Sequence, residues 1–193
     1  MLDYATSITQ RGKIEYLARS GKYTPAGMVI GQDGSAMTDS QRILTALTRG
    51  EAALAPLGGI GEELAGYKGY GYATIVEILS AALQGGSYLK MLTGSDEKGN
   101  KCPYRLGHFF IAIDPEAFMG RETFRSICGK ILRELRNSKK APGQERIYTA
   151  GEKEYQAWQE RKDKGVPVGE AVQKEFVEIR DRYGLPYKFP FES

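Results

Sequence analysis

Apolar positions along this chain alternate between helical spacing and short continuous runs, and glycine or proline marks most of the changes. The opening Met1–Ser7 reads as a strand, and a chain that starts in mid-strand is expected to be part of a larger domain. Ile14, Leu17 and Ala18 then recur at the spacing of an amphipathic helix. Met28 to Ile30 is a short apolar run between Thr24-Pro25-Ala26-Gly27 and Gln32-Asp33-Gly34-Ser35, both rich in turn formers. Asp39 stands where an N-cap is needed for a helix carrying Ile43, Leu44 and Leu47, and Gly50 stands where it must stop.

Further on, Gly58, Gly59, Gly61, Gly66, Gly69 and Gly71 precede Tyr72–Leu83, which is apolar except at Thr74, Glu77 and Ser80. A helix apolar on nearly all sides is expected to be buried. Gly85-Gly86 ends it and Thr93–Lys101 is a polar loop. His108–Ile113 reads as an interior strand closed by Asp114-Pro115. A helix follows over Arg121–Arg136 with Phe124, Ile127, Ile131 and Leu132 on one face. Beyond Ala141-Pro142-Gly143 the pattern predicts a short strand at Ile147-Tyr148, a charged helix with Tyr155 and Trp158, and a last helix over Val168–Tyr183. The tail Pro186–Ser193 reads as irregular, and the whole order predicts an α+β fold with no internal repeat.

Charge narrows the function. With 27 Lys+Arg against 24 Asp+Glu, interleaved along the chain, no basic block points to nucleic acid. No apolar run reaches the roughly 18 residues of a membrane span, and the first residues lack the layout of a secretion signal, so a cytoplasmic protein is expected. Cys102, Cys128 and the single histidine, His108, have no metal-ligand spacing, and no metal site is expected.

The run Gly66-Tyr67-Lys68-Gly69-Tyr70-Gly71 enters the apolar helix. It is expected to gather free backbone N–H groups, the positive helix end and an ammonium, which is how a diphosphate is held. The same glycines also serve close backbone approach, so both readings stand. Glu152, after Gly151, is placed to accept from a ribose diol or simply to be a first-turn acid favoured by the helix dipole. His108 has no triad neighbour and reads as a strand-start histidine; neither cysteine has the basic surroundings of a nucleophile.

Several stretches together resemble one family. They are Asp3-Tyr4-Ala5-Thr6-Ser7 with Gly12-Lys13, Asp33-Gly34 with Thr38-Asp39, Leu57-Gly58-Gly59, Gly66–Gly71 running into Val76-Glu77-Ile78-Leu79, Gly107–Pro115, and Gly151-Glu152. In this order they resemble the type 2 malate/L-lactate dehydrogenases, a family that includes ureidoglycolate, sulfolactate and diketogulonate enzymes. The resemblance implies hydride transfer between NAD(P) and a 2-hydroxyacid or 2-oxoacid, a mostly antiparallel non-Rossmann cofactor sheet flanked by helices, and a homodimer. It places cofactor contacts on Asp3, Tyr4, Ala5, Thr6 and Ser7, on Lys68 and Gly69, and on Gly151 and Glu152.

The family's catalytic histidine and substrate-binding arginine belong to an amino-terminal portion with no counterpart here, so the resemblance implies a carboxy-terminal half with no catalytic residue of its own. The expected division is a cofactor domain over 1–140 and a helical segment over 141–193 that packs on the absent domain. The expected partner is therefore either a second copy or a complementing amino-terminal half. At Gly27-Met28-Val29-Ile30-Gly31 the chain lacks an aromatic and an acid usual in the family. Arg105 is a candidate for the substrate carboxylate, through two parallel hydrogen bonds. A Glu152 carboxylate on the adenine ribose would repel a 2′-phosphate, which favours NAD over NADP. The rival reading is a non-catalytic remnant or interaction module that keeps the fold.

Overall fold

A computed structural model describes residues 1–192 and divides them into two units, Tyr4–Ile111 and Met1–Asp3 with Ala112 onward. The first unit holds the core. Helix α1 (Arg11–Arg19) turns Ile14 and Leu17 inward. Helix α2 (Ser40–Arg49) starts where the Asp39 side chain accepts from the Arg42 N–H, and stops at Gly50, whose φ of 71° terminates it in the left-handed conformation. Between them lies an antiparallel hairpin, β1 (Val29–Gly31) paired with β2 (Ala52–Leu54) in the register Val29↔Leu54. Ile14, Val29 and Ile43 are fully buried, and Met28, Met37, Leu44, Leu47, Ala52 and Leu54 pack around them. Ser40 Oγ donates to the Lys22 carbonyl and pairs with Thr24 Oγ1 at 2.8 Å, so this buried hydroxyl pair is satisfied.

Helix α3 runs over Gly66–Ser80. The glycine run is thus its first two turns and not a loop before it, and the helix begins six residues earlier than the apolar pattern suggests. Nor is α3 buried: only Gly66 and Gly69 are, while Tyr70, Tyr72, Ile75, Val76 and Ile78 are each more than half exposed. Residues 108–113 take no partner strand, and Phe110, Ile111 and Ile113 are open. The expected interior helix and interior strand are therefore both present as chain paths but uncovered. An apolar pattern records the surroundings for which a segment is suited, and among the described residues nothing supplies that cover.

The second unit contains α4 (Arg121–Asn137), α5 (Glu152–Arg161) and α6 (Glu170–Arg182), with no fully buried residue among those described. Its amphipathic stripe, Phe124, Ile127, Ile131 and Leu132, remains 40–51% exposed. The predicted strand at Ile147-Tyr148 is not formed. Polar staples and aromatic contacts hold the unit instead. Arg180 bonds Asp181 and Glu192, while Phe189 stacks on Phe176 and Phe191. The tail is accordingly ordered through a short 3₁₀ turn at Pro190–Glu192. The α+β class holds, with a sheet of two short strands among the described residues.

Candidate cofactor-binding site

In the first unit, backbone hydrogen bonds bring two of the expected cofactor stretches together. Ile8 N–H donates to Ala55 O at 2.8 Å and Leu57 N–H donates to Thr6 O at 2.9 Å, so the Thr6–Ile8 segment runs antiparallel to residues 55–57. Leu57 O in turn accepts from Gly69 N–H at 3.2 Å. The first turn of α3 is thereby fixed one residue row away from Thr6 and Ser7. This spacing requires glycine: a Cβ at Gly69 would fall on the Leu57 backbone, and one at Gly66 on the Gly59 carbonyl oxygen.

The start of α3 differs from an open anion cradle. Gly66, Lys68 and Gly69 N–H groups already donate to Gly61, Ala65 and Leu57 carbonyls, so the expected set of free donors is largely occupied. What remains is charge. Lys68 sits in the first turn, exposed, with its ammonium 6.0 Å from the Tyr67 ring centre. No acid stands in that turn, and among the described residues no carboxylate pairs with Lys68. A cation at the positive end of a helix costs about 0.3–1 kcal/mol unless an anion offsets it. The residues present therefore suit a diphosphate held by charge more than by N–H groups.

The third stretch lies in the second unit. Gly151 has φ 87°, and a Cβ there would stand 2.8 Å from Met1 N, so the chain start runs against it. Glu152, however, does not offer a free carboxylate. Its Oε2 accepts from Thr149 N–H at 2.5 Å and Thr149 Oγ1 at 2.9 Å, while Oε1 lies 3.0 Å from both Arg136 Nε and Arg146 Nη2. The Arg136 Nε contact is ionic and not an aligned hydrogen bond. The Thr149 hydrogen bonds, with Arg136 beside them, hold the Glu152 carboxyl down to about 2. Four groups from three residues surround the acceptor sites a ribose diol would need. The signal for this was Thr149-x-x-Glu152, the spacing at which a first-turn Glu reaches back to a backbone N–H; the two arginines give no local signal.

Arg105 has φ 47°, an unusual conformation for a residue with a side chain, and lines a cleft of about 630 Å³ with Lys90 and Cys102. Its carbonyl accepts from the N–H of buried Ser87 at 3.4 Å. His108 is exposed, stacks on Phe110 at 6.2 Å, and has its carbonyl bonded by Gln84 Nε2. Cys102 and Cys128 are both free thiols. Among the described residues no acid, histidine and cysteine cluster has the makings of a metal site, and no helix is long and apolar enough to cross a membrane.

The geometry is thus a glycine-locked helix start beside an extended segment, bearing an exposed lysine with no carboxylate partner among the described residues. The chain belongs to the malate/L-lactate dehydrogenase family, whose model matches residues 1–177. It is 38% identical over 186 residues to malate dehydrogenase of Pyrococcus horikoshii, covering 96% of this chain and 49% of that protein. With L-sulfolactate dehydrogenase of Methanocaldococcus jannaschii it shares 34% identity over 95% of this chain and 48% of that one. The crystal structure of malate dehydrogenase from Entamoeba histolytica superposes with a TM-score of 0.85 at 38% identity, covering 97% of this chain and 52% of that chain. The chain spans about half the length of the relatives it matches.

Proposed function

We propose that this chain is the cofactor-binding half of a nicotinamide-dependent dehydrogenase that interconverts a 2-hydroxyacid and its 2-oxoacid. The observation that carries the reading is the hydrogen-bonded row Thr6–Leu57–Gly69, which holds the Lys68 turn against the first segment. When bound, the nicotinamide ring supplies or takes up the hydride. Lys68 neutralises the diphosphate, and the Tyr4–Ser7 backbone of the same unit lies along the dinucleotide. Arg105 pairs with the substrate carboxylate from its cleft. The proton for the oxygen at C2 comes from a histidine supplied by the other half, because His108 has neither the partners nor the position resemblance assigns to the acid.

Two observations support the need for a further half: the coverage of about half of each relative, and the open apolar faces of α3, residues 108–113 and α4. Each large apolar side chain moved from water to a packed interface contributes about 1.5–3 kcal/mol, so these faces are suited to a second copy or to a complementing amino-terminal half. On this reading the segment 141–193 packs on that half. The same exposed faces favour the second reading, a non-catalytic interaction module.

Mixing the chain with an amino-terminal half of a relative is expected to restore 2-oxoacid-dependent NADH oxidation, with almost none from the chain alone. Substantial turnover by the isolated chain would show that it carries its own acid. Calorimetry that finds no NADH affinity with or without the other half would leave the interaction module as the surviving reading.

A further inference from the structure

The cleft that holds Arg105 in the first unit also holds a thiol. Ser95 and Lys101 face each other in an antiparallel bridge, Cys102 N–H donates to Gly94 O at 2.9 Å, and Ser87 N–H reaches Arg105 O. The chain thus doubles back and sets Cys102, half-buried, on the wall of the 630 Å³ cleft together with Lys90 and Arg105. The fold supplies the basic surroundings that the sequence around this cysteine does not announce. Among the described residues neither the Lys90 ammonium nor the Arg105 guanidinium has an ion pair. Ser87 lines the same cleft and is nine-tenths buried, yet its hydroxyl has no partner among the described residues. A buried donor left without an acceptor is costly, so this hydroxyl is suited to a ligand oxygen. Of the two acids in the lining, Asp96 already accepts from the Lys98 N–H, the Asn100 N–H and the Asn100 amide, and only Glu97 stays unpaired.

We propose that Cys102 is a site of reversible modification by a small disulfide whose ends carry carboxylates, of the glutathione disulfide kind. Lys90 and Arg105 draw the anionic ends into the cleft, and the Ser87 hydroxyl donates to a carboxylate oxygen. Cys102 Sγ, as thiolate, attacks one sulfur of the disulfide; a new S–S bond forms as the old one breaks, and the other half leaves as a thiolate that takes up the proton Cys102 gave up. Cys102 is oxidised and the departing half is reduced, so the disulfide is the only oxidant required. The cleft lies within the range of small-molecule sites, about 300–1,000 Å³. On the reading that Arg105 pairs with the substrate carboxylate, the adduct fills that cleft and stops turnover until a free thiol removes it. This consequence rests on the substrate reading; the modification itself does not.

The test is the rate at which Cys102 of the full chain is modified, followed by mass spectrometry of the peptide that contains it, with oxidised glutathione and the neutral 2,2′-dipyridyl disulfide as probes. Taking the ratio of the two rates in the folded chain against the same ratio in urea cancels the intrinsic difference between the reagents. At low ionic strength the ratio is expected to be at least about threefold higher in the folded chain, because one cation at roughly 7 Å favours an anion by about that factor even in water. Added salt should lower it. Lys90→Gln should remove most of the excess, Lys90→Arg keep it and Glu97→Gln raise it; Lys90 and Glu97 are exposed, so these changes leave the fold in place. A ratio no higher folded than unfolded, an excess that survives Lys90→Gln, or a folded chain in which neither disulfide modifies Cys102 overturns the proposal. The readout is at sulfur, so absence of dehydrogenase activity leaves it standing. In the reconstituted enzyme, complete modification of Cys102 with unchanged turnover would overturn the consequence for catalysis alone.

Discussion

Gly69 and Gly71 lie two residues apart in the same helix, and alanine at the two positions should act with opposite sign. A Cβ at Gly71 meets nothing within 4 Å, so Gly71→Ala gains only helix propensity and is expected to stabilise by about 0.5–1 kcal/mol. At Gly69 the added carbon would stand 2.8 Å from Leu57 Cα and closer still to the Leu57 nitrogen and oxygen, where about 3.5–4.0 Å is comfortable. The first turn of α3 must withdraw, which breaks the 3.2 Å hydrogen bond from Gly69 to Leu57. Losing that bond costs about 1 kcal/mol. Overpacking adds about 1–3 kcal/mol, and the propensity gain offsets about 1 kcal/mol. The net destabilisation is about 1–3 kcal/mol. For a unit of roughly 100 residues each kcal/mol moves the melting point by about 4–8 °C. Thermal denaturation followed by helical circular dichroism should therefore put Gly69→Ala well below the parent and Gly71→Ala slightly above it. A Gly69→Ala chain that melts at or above the parent would refute the close approach on which the proposed cofactor site depends.

Lys68→Gln should weaken NADH binding about tenfold while leaving stability unchanged or raised by about 0.3–1 kcal/mol, since it removes a cation from the positive end of α3; calorimetry and urea unfolding check the two effects separately. Glu152→Gln should destabilise the second unit at neutral pH. Because the Glu152 carboxyl is lowered from 4.5 to about 2 in the folded chain, its contribution is fully present above pH 4.5 and is lost as pH falls through about 2. The gap between parent and variant in urea midpoint should thus close on acidification, and a gap independent of pH would show that the ion pairs are not its source. Arg105→Ala, measured in the reconstituted enzyme, should raise the apparent KM for the oxoacid, and an unchanged value would remove Arg105 from the substrate site.

The local grammar of the first unit was legible in sequence because it is set by neighbours along the chain. Asp39 and Gly50 bound α2 at the positions where a capping carboxylate and a left-handed residue are needed, and Ile14, Val29 and Ile43 meet because their periodicities point them to one side. The stretches that carry the family resemblance were legible for the same reason. Tertiary structure decided the rest. Glycines 66 and 69 looked like a loop preceding a helix, yet they form its first turn, because contact with Leu57 and Gly59 favours the residue type that helix propensity disfavours. Glu152 looked available for a ribose, and Arg136, sixteen positions earlier, made it part of an ion-pair network that no local spacing announces. The apolar runs at 72–83 and 108–113 encode burial, but a run of hydrophobic residues specifies only the kind of surface it requires; which atoms provide that surface is fixed by packing in three dimensions.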